Sequence, residues 1–483
     1  MVKSNLIELL KTFSPAEIKE FGEFVKSPFF NKNDKVTALY NVIRKSYPGL
    51  ESSVLSKDKV FKKIYPGEKF RDNTLRLLMF YLYECAKKFI QMNRFQKDTI
   101  SSNLYLVRDL IDRDLLKEAE KVLKENIKAL ENTVHKNEEF FWNNYINYTE
   151  YLTLQENQYA DRYEKYMTGK TLENLILNLT DNYLLRLLKL YTVVLNTNAM
   201  FKTGYDVQYY RNVLGMFERS HFKSNPVLEI YYLAAKMLEC PEDENYYYEF
   251  KKLVMTGEGN YSHDLLDDLY INLENYCVRK GRVGKKKFDR ELFDIYNIEI
   301  DRKLYKNGNY MLPNFYKSAV ATAMMVDEHK WAEKFIEEYK NELVPEYRES
   351  VYRHCYARVF IYKKDYNKAL EYLSKVRTDE IYLKTETKLL FAFVYFELGI
   401  DDSLSYLLDT MRHFFKNDRF MSDDKKNFYW DFVKILNKLN TAKFKASLGN
   451  LFEIKELINS KEKLFLKNWL LEKANELENN AGS

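Results

Sequence analysis

Glycine and proline are scarce, 14 and 8 in 483 residues. A chain built from strands and tight turns needs more of both, so the composition points to long helices. Cysteine is rarer still. Cys85, Cys240, Cys277 and Cys355 lie far apart with no CxxC among them, which excludes a disulfide framework and a cysteine zinc site. The six histidines, His135, His221, His263, His329, His354 and His413, include no HExxH and no two at ligand spacing. His354 precedes Cys355, but neighbouring helical residues point about 100° apart and do not form a nucleophile–base pair. Apolar runs are short: Leu389–Phe396 falls far below the roughly 18–20 residues a membrane span needs. Charge of one sign is missing as well, since 76 basic and 71 acidic residues leave +5, too little to attract polyanions in general. The opening Met-Val-Lys-Ser-Asn-Leu-Ile-Glu-Leu-Leu carries Glu8 inside its apolar run, unlike a secretory signal. A cytoplasmic protein is expected, with no enzymatic activity, cofactor or metal.

What is abundant is aromatic: 40 tyrosines and 32 phenylalanines among long Leu/Lys/Glu segments. The clearest organisation lies in Glu346–Lys416, which reads as helices 346–363, 366–377, 380–398 and 401–415. Ala357 and Ala369 stand twelve residues apart, with Phe360 and Tyr366 between them. Small residues allow two helices to cross closely, and the aromatics fill the space beside them. Lys363–Asp365 is a short polar connector, so these helices are antiparallel neighbours. In helix 380–398 the run Leu389–Phe396 is apolar on every side, which predicts burial on every side.

This spacing resembles the tetratricopeptide repeat, a helix–turn–helix unit with small residues at its eighth and twentieth positions. Thirty-five residues on, Ala357 maps to Ala392, Phe360 to Tyr395, Ala369 to Leu404 and Leu373 to Leu408. Thirty-five residues back, Ala357 maps to Thr322, while the second helix is better drawn through Trp331, Phe335 and Tyr339. The family's period is about 34, so these are repeat-like units rather than consensus repeats. The resemblance implies an all-α fold, a right-handed α-solenoid of antiparallel helix hairpins with an N-terminal helical cap. Some members of the family grip a peptide carboxylate from the concave helices. At the matching fifth and ninth positions this chain has His354 and Arg358, then Leu389 and Phe393, so that clamp is absent as a set. The full-length succession also resembles helical bacterial proteins of uncharacterised function, which implies no activity.

Taken in order, residues 1–98 read as a separate helical bundle capping the array. Ser14-Pro15-Ala16-Glu17 is a helix start with a Ser N-cap, Pro at the first position and Glu at the capping-box position. Helices follow at 34–46, 57–65 and 71–97, punctuated by Tyr47-Pro-Gly49 and Tyr65-Pro-Gly67. Residues 99–309 read as a degenerate hairpin array, in which Val107 and Ala119 repeat the twelve-residue spacing. Its later helices are expected at 171–198, 206–220, 226–240, 243–255, 263–279 and 288–306, with a turn at Asn307-Gly308-Asn309. Residues 310–416 carry the repeat-like units. Residues 417–478 hold capping helices at 423–439, 442–458 and 460–478, and 479–483 form a disordered tail.

The function expected is a non-catalytic scaffold that binds a peptide or protein partner on its concave face. Val351, His354, Arg358 and Tyr362 lie on one face of helix 346–363 and are the candidate contacts. The alternative is nucleic-acid binding through the basic loop 279–287, where Arg279, Lys280, Arg282, Lys285, Lys286 and Lys287 give six positive charges in nine residues. Gly284-Lys285 lacks the Ser/Thr and the spacing of a phosphate loop. Gly281-Arg-Val-Gly284 matches a KH-type GXXG without the strands that fold requires.

Overall fold

The structure, a computed structural model, describes residues 4–50, 55–133, 136–158, 170–201, 203–217, 219–223, 225–444 and 448–482. His135, Glu218 in the expected helix 206–220, residues 445–447 in the expected helix 442–458, and Ser483 lie outside this set. The chain divides into two compact units. One comprises Met1–Asn132 with Asn143–Leu175, the other Thr133–Trp142 with Ile176–Ser483.

In the first unit, helices Asn5–Lys11, Pro15–Lys26, Asp34–Arg44, Lys57–Ile64 and Asp72–Lys97 share a core of their own. The start at Ser14 is a complete capping box: the Glu17 N–H donates to the Ser14 hydroxyl at 3.2 Å, and the Ser14 N–H donates to the Glu17 carboxylate at 2.7 Å. Phe21 sits edge-on to Phe13 and Tyr40 at 5.7 and 5.3 Å between ring centres, which ties helix Pro15–Lys26 to Asp34–Arg44 and to the connector before it. The hairpin Thr99–Asp112 with Leu116–Glu131 follows, and Val107 and Ala119 meet in its buried seam.

The second unit is a run of helical hairpins. Pro226–Glu239 pairs with Glu244–Gly257, His263–Arg282 with Lys287–Arg302, Pro313–Met325 with His329–Tyr339, Arg348–Tyr362 with Tyr366–Ser374, Ile381–Leu398 with Asp401–Asn417, and Asp423–Phe444 with Leu448–Ser460. First helices also pack on one another. Pro313–Met325 lies on Arg348–Tyr362, that helix on Ile381–Leu398, and that one on Asp423–Phe444. Such stacking lets each unit bury the apolar side of its neighbour. Ala357 and Ala369 are fully buried in one cluster with Leu373, Leu390, Phe393 and Val394, so the small residues do sit at a close crossing. The all-α stack of antiparallel hairpins expected from the sequence is therefore the architecture of this unit.

Some boundaries shift. The helix expected over 288–306 ends at Arg302, and Lys306–Asn307 pairs antiparallel with Tyr310–Met311 around Gly308. Helix 366–377 stops at Ser374, and the closing helix Lys467–Gly482 continues into the stretch read as a disordered tail. No described helix is long and apolar enough to cross a membrane.

A recurrent device closes six helices across the two units, five of them the first helix of a hairpin and the sixth, Lys287–Arg302, a second helix. After each of these helices one residue adopts a left-handed conformation: Asp114, Gly284, Lys303, Asp327, Lys364 and Gly399. The next N–H then reaches back five residues to a helix carbonyl. Leu115 bonds Leu110 at 2.9 Å, Lys285 bonds Lys280 at 3.2 Å, Leu304 bonds Glu299 at 2.8 Å, Glu328 bonds Ala323 at 2.8 Å, Asp365 bonds Phe360 at 2.9 Å and Ile400 bonds Tyr395 at 2.9 Å. This is the Schellman closure, which satisfies carbonyls that a helix end leaves open. Glycine adopts that conformation without strain, whereas the lysines and aspartates at the other four positions pay a steric cost. Lys364→Gly is expected to stabilise the protein by about 0.5–1 kcal/mol. Urea unfolding checks this; an unchanged or lower midpoint counts against a strained turn at Lys364 (φ 59°).

Candidate functional site

Within the second unit, segments far apart in the chain meet. The Ser422 N–H donates to the Met200 carbonyl at 2.9 Å, and the Ser422 hydroxyl to that of Ala199 at 3.1 Å. The Tyr382 hydroxyl donates to the Met200 carbonyl at 3.3 Å, and Phe201 forms an isolated antiparallel bridge with Met421. The end of helix Lys170–Met200 is thereby stitched to helices 381–398 and 423–444. Between them lies a cleft of about 420 Å³. Its walls come from these three helices and from His263–Arg282, Lys287–Arg302 and Pro313–Met325.

One wall is built around Glu386. Lys317 holds its carboxylate at 3.0 Å and the Tyr429 hydroxyl donates to it at 3.2 Å, with Arg358 at 3.7 Å. Burial opposes the charge, yet Lys317 and Arg358 outweigh it and draw the Glu386 carboxyl down to about 2. His354 stands 4.0 Å from Glu386 but stays neutral, because burial and the Arg358 charge both disfavour its cation. Its bonds set the tautomer: Arg358 Nε donates to His354 Nε2 at 3.2 Å, so His354 Nδ1 donates to the Thr387 hydroxyl at 2.9 Å. Burial pushes the adjacent Cys355 thiol up to about 12, so it remains protonated and unreactive.

Beside this network Lys425 is 8% exposed, and its Nζ lies 3.7 Å from the Tyr382 ring centre. Burial first, and then the Arg282 charge, lower its ammonium to about 8. The facing wall carries Glu274 and Glu299. Burial is the leading cause that raises both, Glu274 to about 7, and the neighbouring Glu274 raises Glu299 further, while hydrogen bonds from Glu299 and Tyr296 favour the Glu274 carboxylate, so the pair keeps a proton near neutrality. The Tyr296 hydroxyl donates to Glu274 at 3.4 Å, while Glu299 Oε2 has no hydrogen-bond partner among the described residues. Ile271 and Leu312 add exposed apolar surface to the lining.

The residues singled out from the sequence are placed as follows. Val351 is buried beside a smaller apolar recess of about 250 Å³ lined by Leu312, Pro313 and Leu383. His354 is sealed in the wall, Arg358 is half-buried and engaged by His354 and Glu386, and Tyr362 is exposed and stacked on His329 at 5.0 Å. Three of the four therefore serve the inner wall as packing and support, and Tyr362 stands apart from them. Leu389 and Phe393 are buried too. In the basic stretch, helix His263–Arg282 runs three residues beyond the expected 279. Arg279 Nη1 donates to the Leu238 carbonyl at 3.0 Å, buried Lys280 donates to the Pro241 carbonyl at 3.0 Å, and Lys287 pairs with Glu244. Lys285 and Lys286 are exposed, while Arg282 lines the cleft together with Arg279. The two glycines answer to packing: a Cβ on Gly281 would strike Asp289, and Gly284 is one of the left-handed turn residues. Among the described residues no group of three or more His, Cys, Asp or Glu could hold a metal.

Periodicity alone did not mark Lys317, Glu386, Lys425, Glu274 or Glu299. A usable signal existed for two: Lys317 and Glu386 are charges embedded in helices otherwise buried on most sides. A charge in such a place needs a partner from another element.

No family model matches this chain, and no curated protein matches it. One solved structure, the APC/C hetero-tetramer Cut9–Hcn1, aligns with 98% of this chain and 97% of that chain at 12% identity, with a TM-score of 0.32.

Two outcomes test the wall chemistry. Glu386→Gln strands Lys317 and Arg358 and is expected to cost about 3 kcal/mol in urea unfolding; a neutral result contradicts the network. The acid pair acts in the opposite sense. Its folded-state values are raised, so its stabilisation is present in the ordinary glutamate range and is lost as pH rises from there through about 7. Glu299→Gln should therefore raise the melting temperature, relative to the native chain, more at pH 8 than at pH 5. An equal shift at both values counts against proton sharing.

Proposed function

We propose that this protein is a non-catalytic scaffold that holds a peptide or protein partner in the inner cleft of its hairpin stack. The observation that carries this reading is the cleft itself: six helices converge on a space of about 420 Å³ with exposed apolar side chains, Ile271 and Leu312, beside charged ones. A mixed lining of this kind suits a chain segment that offers both apolar side chains and polar main chain. Arg358, first read as a direct contact, supports the wall in this reading. The protonated Cys355 thiol and the neutral, doubly bonded His354 favour a structural role over a reactive one.

Nucleic-acid binding through residues 279–287 has less support. Arg279, Lys280 and Lys287 are engaged within the chain, which leaves Lys285 and Lys286 as exposed cations in that stretch.

The test is site-specific photo-crosslinking in source cells, with a photoreactive phenylalanine analogue replacing Asn314, an exposed residue of the cleft lining. Discrete protein adducts are expected, and they should disappear when Ile271→Arg places a charge in the cleft. Equal adducts from Lys334, which lies outside the cleft, would overturn the assignment.

A further inference from the structure

The cleft contains two cations that have no counter-ion among the described residues. Lys317 is held by Glu386 at 3.0 Å and Lys306 by Glu342 at 3.0 Å, while Arg279 donates to the Leu238 carbonyl. Arg282 and Lys425 have no carboxylate within ion-pairing distance and no side-chain hydrogen bond among the described residues. Both act on Tyr382, Arg282 through its charge and Lys425 through the ring face. Tyr382 cannot serve them as an anion, since burial raises its phenol to about 12 and its hydroxyl donates to Met200. Leaving an almost fully buried ammonium unpaired is costly, and a second cation nearby adds to the cost. An anion entering the cleft removes both penalties at once.

We infer that Arg282 and Lys425 form a binding site for a single carboxylate group, presented by a peptide segment lying in the cleft. This rests on the scaffold reading above and specifies the partner's chemistry. The lining decides which anion fits. Asp267, Glu274, Glu299 and Glu386 share the cleft with five basic residues, so an extended chain of phosphates would meet repelling carboxylates as well as cations, whereas one localised carboxylate would not. The planar fork of Arg282 beside the point charge of Lys425 suits such a group. The exposed Ile271 and Leu312 offer contacts to apolar side chains of the same segment. The pair also lies away from the positions at which the tetratricopeptide resemblance would have put a clamp. His354 and Arg358 are committed to the Glu386 network there, and Leu389 and Phe393 are core.

The experiment uses the full-length protein and isothermal titration with four probes. The first three are N-acetylated hexapeptide pools made only of apolar and amide residues: one with a free C-terminal carboxylate, one amidated, and one amidated but carrying a single internal glutamate. The fourth is a single-stranded oligonucleotide. Binding of the first or third pool, at least tenfold tighter than the amidated pool, is expected. Which of the two binds distinguishes a chain terminus from an acidic side chain as the source. Lys425→Met and Arg282→Gln should each weaken that binding at least tenfold, and Lys425→Arg should retain most of it. Arg282 is only half-buried, so its variant keeps the test valid if Lys425→Met fails to fold. Equal binding of all three pools overturns the carboxylate site and leaves the scaffold reading standing. Binding of none, together with loss of the Asn314 adducts, overturns both. Oligonucleotide binding that the two variants abolish also overturns the assignment.

Discussion

Glu386 is the constraint on which the inner face depends. Its carboxylate draws together Lys317 from Pro313–Met325, Arg358 from Arg348–Tyr362 and Tyr429 from Asp423–Phe444, while it stands itself on Ile381–Leu398. Apolar contact between stacked helices is strong but tolerant of sliding, since one methyl group packs much like another. A buried carboxylate satisfied by groups from three other helices tolerates little displacement, because any slip leaves a charge unpaired. The stack thus has a greasy body and a polar lock, and the lock faces the cleft. The neutral imidazole of His354 extends it to Thr387, so the same cluster orients Arg358 as well as pairing it.

The hairpins share a second economy of means. Six helices, five of them the first of a hairpin, end in the same left-handed turn, although the residue in that turn is glycine in only two. A hydrogen bond that closes open carbonyls outweighs the strain of a lysine or aspartate in that conformation. Backbone geometry repeats here more faithfully than side-chain identity. This explains why the apolar frame drifts backwards from Ala357 and Ala369 while the helices themselves persist.

The cleft combines two opposite kinds of unsatisfied chemistry. On one side Glu274 and Glu299 share a proton because burial disfavours two negative charges; on the other, Arg282 and Lys425 have no counter-ion among the described residues. Both resemble the locally unfavourable arrangements that proteins keep where something is to be bound, and they meet in a cleft closed by Ser422 and Tyr382 reaching the end of helix 170–200.

Helix content, the close crossing at Ala357 and Ala369 and the capping box at Ser14 were legible in the amino-acid order, because each arises from interactions within a few residues or from a period of 3.6. The basic stretch 279–287 was legible as charge but not as structure. Its lysines and arginines divide between helix packing, loop and cleft according to where helix 263–282 ends, which the closing turn at Gly284 decides. The candidate site was mostly hidden. Arg358 and His354 were singled out, but not the Glu386 that Arg358 faces, since it lies twenty-eight residues away along the chain. Periodicity reports which side of a helix is buried. Whether a buried charge meets an opposite charge, shares a proton or stands alone depends on the packing that brings residues 200, 282, 382 and 425 to one cleft, and only the tertiary structure determines that.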